Sequence, residues 1–209
     1  MSKDFISRLE EELKNTLPGE YAQRKMAPLT SRIFSTSEAT GKAAVLLLLY
    51  PRKGELHILL IKRTEYTGPH SAQVSLPGGK KEDKDRTQVC TALREAAEET
   101  GIEKEKVAVL GTLTPLYIPV SNLEVLPVVG YTAEEPGFRI DPTEVEYLIP
   151  VRLGDLAGNA LISEEIISVS GTTVKAPGYR NDKDFIWGAT AMILSEFLEV
   201  AVSAGFNDR

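Results

Sequence analysis

"GGKKEDKDRTQVCTALREAAEETGI", residues 78–102, opens on two glycines and runs through a charged loop into a helix with an unrelieved run of acid. Val89, Leu93, Ala96 and Ala97 recur at helical spacing and make an apolar stripe, and Gly101 suits the left-handed residue that ends a helix. At about 100° per residue, Glu95, Glu98 and Glu99 fall within roughly a 100° arc on the side opposite that stripe. Glu95 and Glu99 are a like-charge pair four apart, which costs about 0.2–0.5 kcal/mol. All three lie near the helix C-terminus, where the macrodipole disfavours anions. Arg94 reaches Glu98, but it is one cation against three anions. The positions four residues on are Glu99, Ile102 and Glu103, so nothing downstream compensates.

A counter-charge from outside the chain resolves this. The glycines upstream let backbone N–H groups approach an anion such as phosphate, and Asp85 adds an oxygen donor between them and the helix. Oxygen-only ligands favour a hard divalent cation, Mg²⁺ or Mn²⁺. Such an ion bridges carboxylates and phosphate oxygens and polarises an attacking water. An acidic helix face is more commonly a solvated surface. The neighbouring glycines and Asp85 shift the balance toward a site.

Working outward, the same 25 residues closely resemble the Nudix box, Gly-x5-Glu-x7-Arg-Glu-U-x-Glu-Glu-x-Gly-U, with U aliphatic. Gly79, Arg94, Glu95, Glu98, Glu99, Gly101 and Ile102 match it, with Ala96 at the first U. Asp85 replaces the first Glu, and eight residues rather than seven separate it from Arg94. Both departures are similar to those of the coenzyme A pyrophosphatase branch. Upstream, "LLIKRTEYTGPHSAQVSLPGG" resembles that branch's L-L-T-x-R-S-x-x-L-R-x-H-x-G-Q-V-x-F-P-G-G at Leu59, Leu60, Arg63, His70, Gln73, Val74, Pro77, Gly78 and Gly79. Downstream, "TEVEYLIPVRLGDL" and "FIWGATAMIL" resemble its later segments. Gly68 stands where the branch often has Arg, Ala72 where it has Gly, Ile61 where it has Thr, and Leu76 where it has Phe. Losing an arginine at 68 removes a phosphate-fork donor, which bears on the 3′-phosphate of coenzyme A.

The resemblance implies an α/β Nudix fold, an αβα sandwich around a mixed β-sheet, with residues 1–42 as a helix and arm packed on a domain spanning 43–209. It implies a metal-dependent hydrolase of a nucleoside diphosphate linked to another moiety. Coenzyme A or acyl-coenzyme A is the favoured substrate, giving adenosine 3′,5′-bisphosphate and 4′-phosphopantetheine. ADP-ribose or another ADP-linked compound is the rival. By carry-over, Glu95, Glu98 and Glu99 bind metal and Arg94 orients the helix carboxylates. Glu98, Glu99 or a Glu in a later loop is the general base, with Glu144, Glu146, Glu164 and Glu165 as off-helix candidates. Arg63, His70, Gln73, Gly78 and Gly79 are the expected substrate-binding residues. A nucleotide sensor that does not cleave its ligand is the reading from another class; the intact carboxylate set speaks against it.

Composition bounds the rest. The chain has 209 residues, 42% hydrophobic and 26% charged, which is ordinary for one sizeable core. Net charge is −6 with basic residues scattered, which argues against nucleic acid or an anionic membrane as partner but not against a small phosphorylated ligand. One cysteine excludes an intrachain disulfide and suits the cytoplasm, and Cys90 reads as a small buried residue. Residues 4–15 read as an amphipathic helix. Residues 21–42 read as an arm over the domain or over a second subunit, which leaves a homodimer open. "AAVLLLLYP" and "ELHILLIKR" read as strands about a "PRKG" turn, and further strands are expected at 106–114, 125–132 and 164–171. "PVRLGDLAG" reads as a short helical turn. The segment from Phe185 reads as a closing helix with Trp187 as its core anchor.

Overall fold

The computed structural model describes residues 2–28, 40–68, 70–169 and 172–207. The middle of the expected N-terminal arm, residues 29–39, lies outside them.

The apolar run 43–49 becomes β1 (Gly41–Arg52), and its lack of alternation has a simple cause: both of its faces are covered. Leu47 and Leu49 face one core, while Ala44, Leu46, Leu48 and Tyr50 face another. A Lys53–Gly54 turn, both residues at positive φ, leads antiparallel into β2 (Glu55–Arg63). Two short strands follow, β3 (Val74–Ser75) and β4 (Gly78–Lys80), and then the acidic helix. Beyond it come β5 (Ala108–Thr112), β6 (Leu116–Ile118), β7 (Leu123–Tyr131) and β8 (Val145–Arg152). These eight strands form one sheet ordered β3-β2-β1-β7-β5, with β4 on β1, β6 on β7 and β8 on β2. β1 and β7 run parallel while their neighbours pair antiparallel, so the sheet is mixed. A separate three-stranded sheet, β11-β10-β9, comprises β9 (Ile162–Val169), β10 (Thr172–Asn181) and β11 (Asp184–Trp187).

The helices are α1 (Ser2–Glu12), α2 (Glu20–Arg24), α3 (Gln88–Thr100), α4 (Leu153–Ala157) and α5 (Gly188–Ser203). α3 packs Ala92 and Ala96, fully buried, onto one face of the large sheet. α1, α4 and α5 cover the other face through Leu9, Leu153, Leu194 and Phe197. This is the expected αβα sandwich. The N-terminal elements share that second core: Phe5, Ile6, Leu13 and Met26 belong to it, and the Phe5 and Phe206 rings lie 5.3 Å apart. Glu196 of α5 is fully buried yet satisfied, accepting from Gly19 N (3.2 Å), Thr114 N (3.2 Å) and Gln23 Nε2 (2.8 Å). Among the described residues no helix is long and apolar enough to cross a membrane.

Several local expectations are corrected. β8 and β10 were not apparent because Pro150 and Pro177 interrupt them. β8 pairs only with β2, and Pro177 pairs with Glu164 beyond the end of β11, so each proline sits where a ladder side is open. The closing helix begins at Gly188, and Phe185–Trp187 are the end of β11. Trp187 is only partly buried, and its neighbour Ile186 is the residue in the core. Cys90 is exposed rather than buried.

Candidate active site

α3 begins at Thr87, whose hydroxyl accepts from Cys90 N (3.2 Å). It ends at Gly101, at φ 71, whose N–H reaches Ala97 O (2.9 Å). The loop after β7 then closes over the C-terminus: Arg139 N donates to Thr100 O (2.8 Å) and Asp141 N to Glu99 O (3.0 Å). The last carbonyls are therefore satisfied by the chain itself.

Arg94 lies at the centre of the charged cluster, and Asp85 is its firmest partner. Arg94 Nε donates to Asp85 Oδ1 (3.0 Å) and Nη2 to Oδ2 (2.8 Å), a two-pronged pair. Oδ2 also accepts from Thr91 Oγ1 (3.0 Å) and Glu82 N (3.0 Å). With both oxygens engaged, Asp85 anchors the arginine. These bonds, that to Arg94 foremost, hold its carboxyl well below the usual range. Arg94 Nη1 meets Glu95 Oε1 (2.8 Å) and Glu98 Oε2 (2.9 Å), and Nη2 reaches Lys80 O (3.2 Å).

The three glutamates differ sharply in burial. The Glu98 side chain is 54% exposed, Glu95 16% and Glu99 1%. Glu99 thus lies inside the protein, not on the outer face that the helical stripe suggested. Its Oε1 accepts from Arg63 Nη1 at the end of β2 (3.0 Å), and its Oε2 from Gly78 N (2.8 Å). Burial pushes its carboxyl up to about 7, against the opposing pull of Arg63 and the Gly78 N–H, with Glu144 and Glu95 adding repulsion. Glu95 is raised too, by burial first and then by Glu98 and Glu144, with Arg94 opposing. Glu144 is therefore the off-helix candidate whose charge acts on this cluster. Glu164 and Glu165 lie in the second sheet, paired with Lys175 and Arg180.

The glycines are needed for close approach. A Cβ on Gly78, which sits at φ 155, would fall 2.3 Å from Ala44 O, and one on Gly79 would fall 2.4 Å from Glu95 Oε2. Arg63, Gly78, Gly79 and the carboxylates thus form one locus. His70 and Gln73 form a separate pair in the preceding loop, Nδ1 to Oε1 at 3.1 Å.

Among the described residues no three acidic or imidazole groups converge on a ready metal point. Glu95 and Glu98 are turned toward Arg94 and Glu99 toward Arg63. The donor set nevertheless fits a hard divalent ion: Glu95, Glu98 and Glu99 offer only oxygens, from one arc of α3, and Glu99 is buried there.

The Nudix domain matches residues 40–175, well over half of the chain. The chain belongs to the Nudix family. Its Nudix relatives include "Nudix hydrolase 22, chloroplastic" of Arabidopsis thaliana, 35% identical over 179 residues, covering 82% of this chain and 57% of that protein. "Nudix hydrolase 15, mitochondrial" of the same plant is 36% identical over 160 residues, covering 73% and 56%. The chain thus spans little more than half the length of these two relatives. The "Uncharacterized Nudix hydrolase NudL" of Pectobacterium atrosepticum is 32% identical over 195 residues, covering 92% of this chain and 91% of its own. The Nudix fold is also that of a MutT protein from Methanosarcina mazei, with TM-score 0.51, 17% identity and coverage of 83% and 100%. Nudix hydrolases generally use divalent metal ions.

Proposed function

We propose that this chain is a pyrophosphohydrolase that cleaves a phosphoanhydride linking a nucleoside to a second moiety. The observation that carries the reading is Glu99: a nearly inaccessible carboxylate, bonded to a glycine N–H and an arginine, with two further acids on the same helix arc. A solvated surface run has no reason to bury one of its charges. Glu95, Glu98 and Glu99 would hold Mg²⁺ or Mn²⁺, which neutralises charge on the diphosphate and lowers the pKa of water. Arg94, fixed by Asp85, keeps Glu95 and Glu98 in position. Arg63 and the backbone at Gly78 and Gly79 bind phosphate, with His70 and Gln73 shaping the approach. Water attacks phosphorus, the anhydride P–O bond breaks, and the proton passes to a carboxylate. Glu98, Glu99 and Glu144 are the candidates for that base.

For the substrate we favour coenzyme A or an acyl-coenzyme A, on the resemblance of residues 59–79 and of the later segments to that branch. ADP-ribose and other ADP-linked compounds are the alternative, favoured by Gly68 in place of an arginine. A panel of coenzyme A, ADP-ribose, NADH and diadenosine polyphosphates, assayed for product phosphate esters with Mg²⁺ and in chelator, separates them. Full turnover in excess chelator, or none on any substrate with either metal, overturns the proposal.

A further inference from the structure

The loop between β2 and β3 carries a tyrosine that the chemistry above leaves unused. Tyr66 is 43% exposed, so part of its ring is open to solvent. Its ring lies under the Arg63 guanidinium, 6.0 Å from centroid to Cζ, and the same guanidinium binds Glu99 at 3.0 Å. One side chain therefore separates an exposed aromatic surface from the buried carboxylate.

The loop is built to keep the ring there. Tyr66 N donates to Ser71 Oγ (2.9 Å), Ala72 N to Thr64 O (3.2 Å) and Thr64 N to Glu144 O (3.0 Å), which ties the loop to the segment bearing Glu144. Gly68, at φ 157, has its Cα beside the ring, and a Cβ there would fall 3.1 Å from Tyr66 Cε2. A side chain at 68 would press on the ring, which would have to give by a few tenths of an ångström, and would strain the backbone at that φ. The tyrosine at 66 and the missing side chain at 68 are thus one steric arrangement. It substitutes an aromatic face for a cation.

We infer that Tyr66 is the platform on which the base of the nucleotide substrate stacks while Arg63 engages its phosphate. Every base offers a π-face to an aromatic ring, and one such contact typically changes affinity by about tenfold. The inference rests on the nucleotide-hydrolase reading for its ligand class.

The test separates the two claims. 2-Aminopurine riboside 5′-diphosphate, whose fluorescence is quenched on stacking, is titrated into the wild type, Tyr66→Phe, Tyr66→Leu and Gly68→Ala in chelator. Saturable quenching is expected in the wild type and Tyr66→Phe. Affinity should fall about tenfold in Tyr66→Leu, and Gly68→Ala should weaken it as well by moving the ring. In turnover, Tyr66→Leu should raise KM far more for the nucleotide substrate that the panel identifies than for base-free dimethyl diphosphate. Equal affinity in wild type and Tyr66→Leu, or no binding of the probe, overturns the platform. So does a fall in kcat that is the same for both substrates, since Tyr66 would then act only by positioning Arg63. Quenching that depends on Tyr66, without turnover of any diphosphate, sustains the platform and removes the hydrolase reading.

Discussion

Glu99 has a folded-state carboxyl near 7 against an ordinary value of 4.5. A group raised in this way contributes stability that is present below its unfolded value and lost as pH rises through its folded value. At pH 8 the burden of holding it ionised is of order 2–3 kcal/mol. In chelator, the wild type should therefore lose stability relative to Glu99→Gln between about pH 5 and pH 8. With saturating Mg²⁺ the order should reverse at pH 8, because an ion bound only to the folded state adds RT ln(1 + [L]/Kd). Paired thermal melts at both pH values, with and without metal, check this. Activity of Glu99→Gln should fall at least about a hundredfold. Parallel melting curves and near-normal turnover would return the acidic arc to a simple surface role.

At the scale of elements, α3 depends on a loop residue ahead of it. Asp85 is engaged by Arg94, Thr91 and the Glu82 N–H, so Asp85→Asn should release Arg94 onto Glu95 and Glu98 and cost about ten- to a hundredfold in activity or metal affinity. Because the Asp85 carboxyl is held low, its contribution is present above the ordinary carboxylate range and lost only as pH falls beneath it. Wild type and variant should thus differ by a constant amount from pH 6 to 8, which melts across that range would show. The substrate loop offers a second case. Ala72 sits at φ 54, a left-handed conformation that a Cβ disfavours, so Ala72→Gly should gain roughly 0.5 kcal/mol in urea unfolding.

These elements also show what was legible beforehand. The fold and the acidic helix could be read because periodicity and capping residues agree: Ala96 in the stripe, Thr87 ahead and Gly101 behind. β1 and β2 could be read because long apolar runs bounded by a turn have few other outcomes. Burial of Glu99 could not, since it depends on β4 and Arg63 meeting α3 from distant parts of the chain. The Asp85–Arg94 pair spans nine positions, and only the folded loop reveals that it consumes both carboxylate oxygens. Pro150 and Pro177 hid two strands because proline is a poor strand former until its edge position is known. Tyr66 gave no periodic signal at all, and only its geometry against Arg63 and Gly68 singles it out.

Across the whole molecule, Glu196 ties together three stretches remote in sequence, with partners 173, 177 and 82 positions away. Glu196→Leu strands two backbone N–H groups and one N–H of the Gln23 amide, which keeps its bond to Thr114 O, so it should cost about 3 kcal/mol in urea unfolding. Turnover at 25 °C should be unchanged, since α5 lies across the sheet from α3. Loss of turnover at a temperature where the variant is still folded would show that the two faces are coupled. The same latch bears on the order of events during synthesis. α1 and α2 are made well before α5, yet α5 carries the carboxylate that holds Gly19 and Gln23. Until Glu196 emerges, Gly19 and Gln23 have no carboxylate to meet, so the docking of α2 waits on the synthesis of α5.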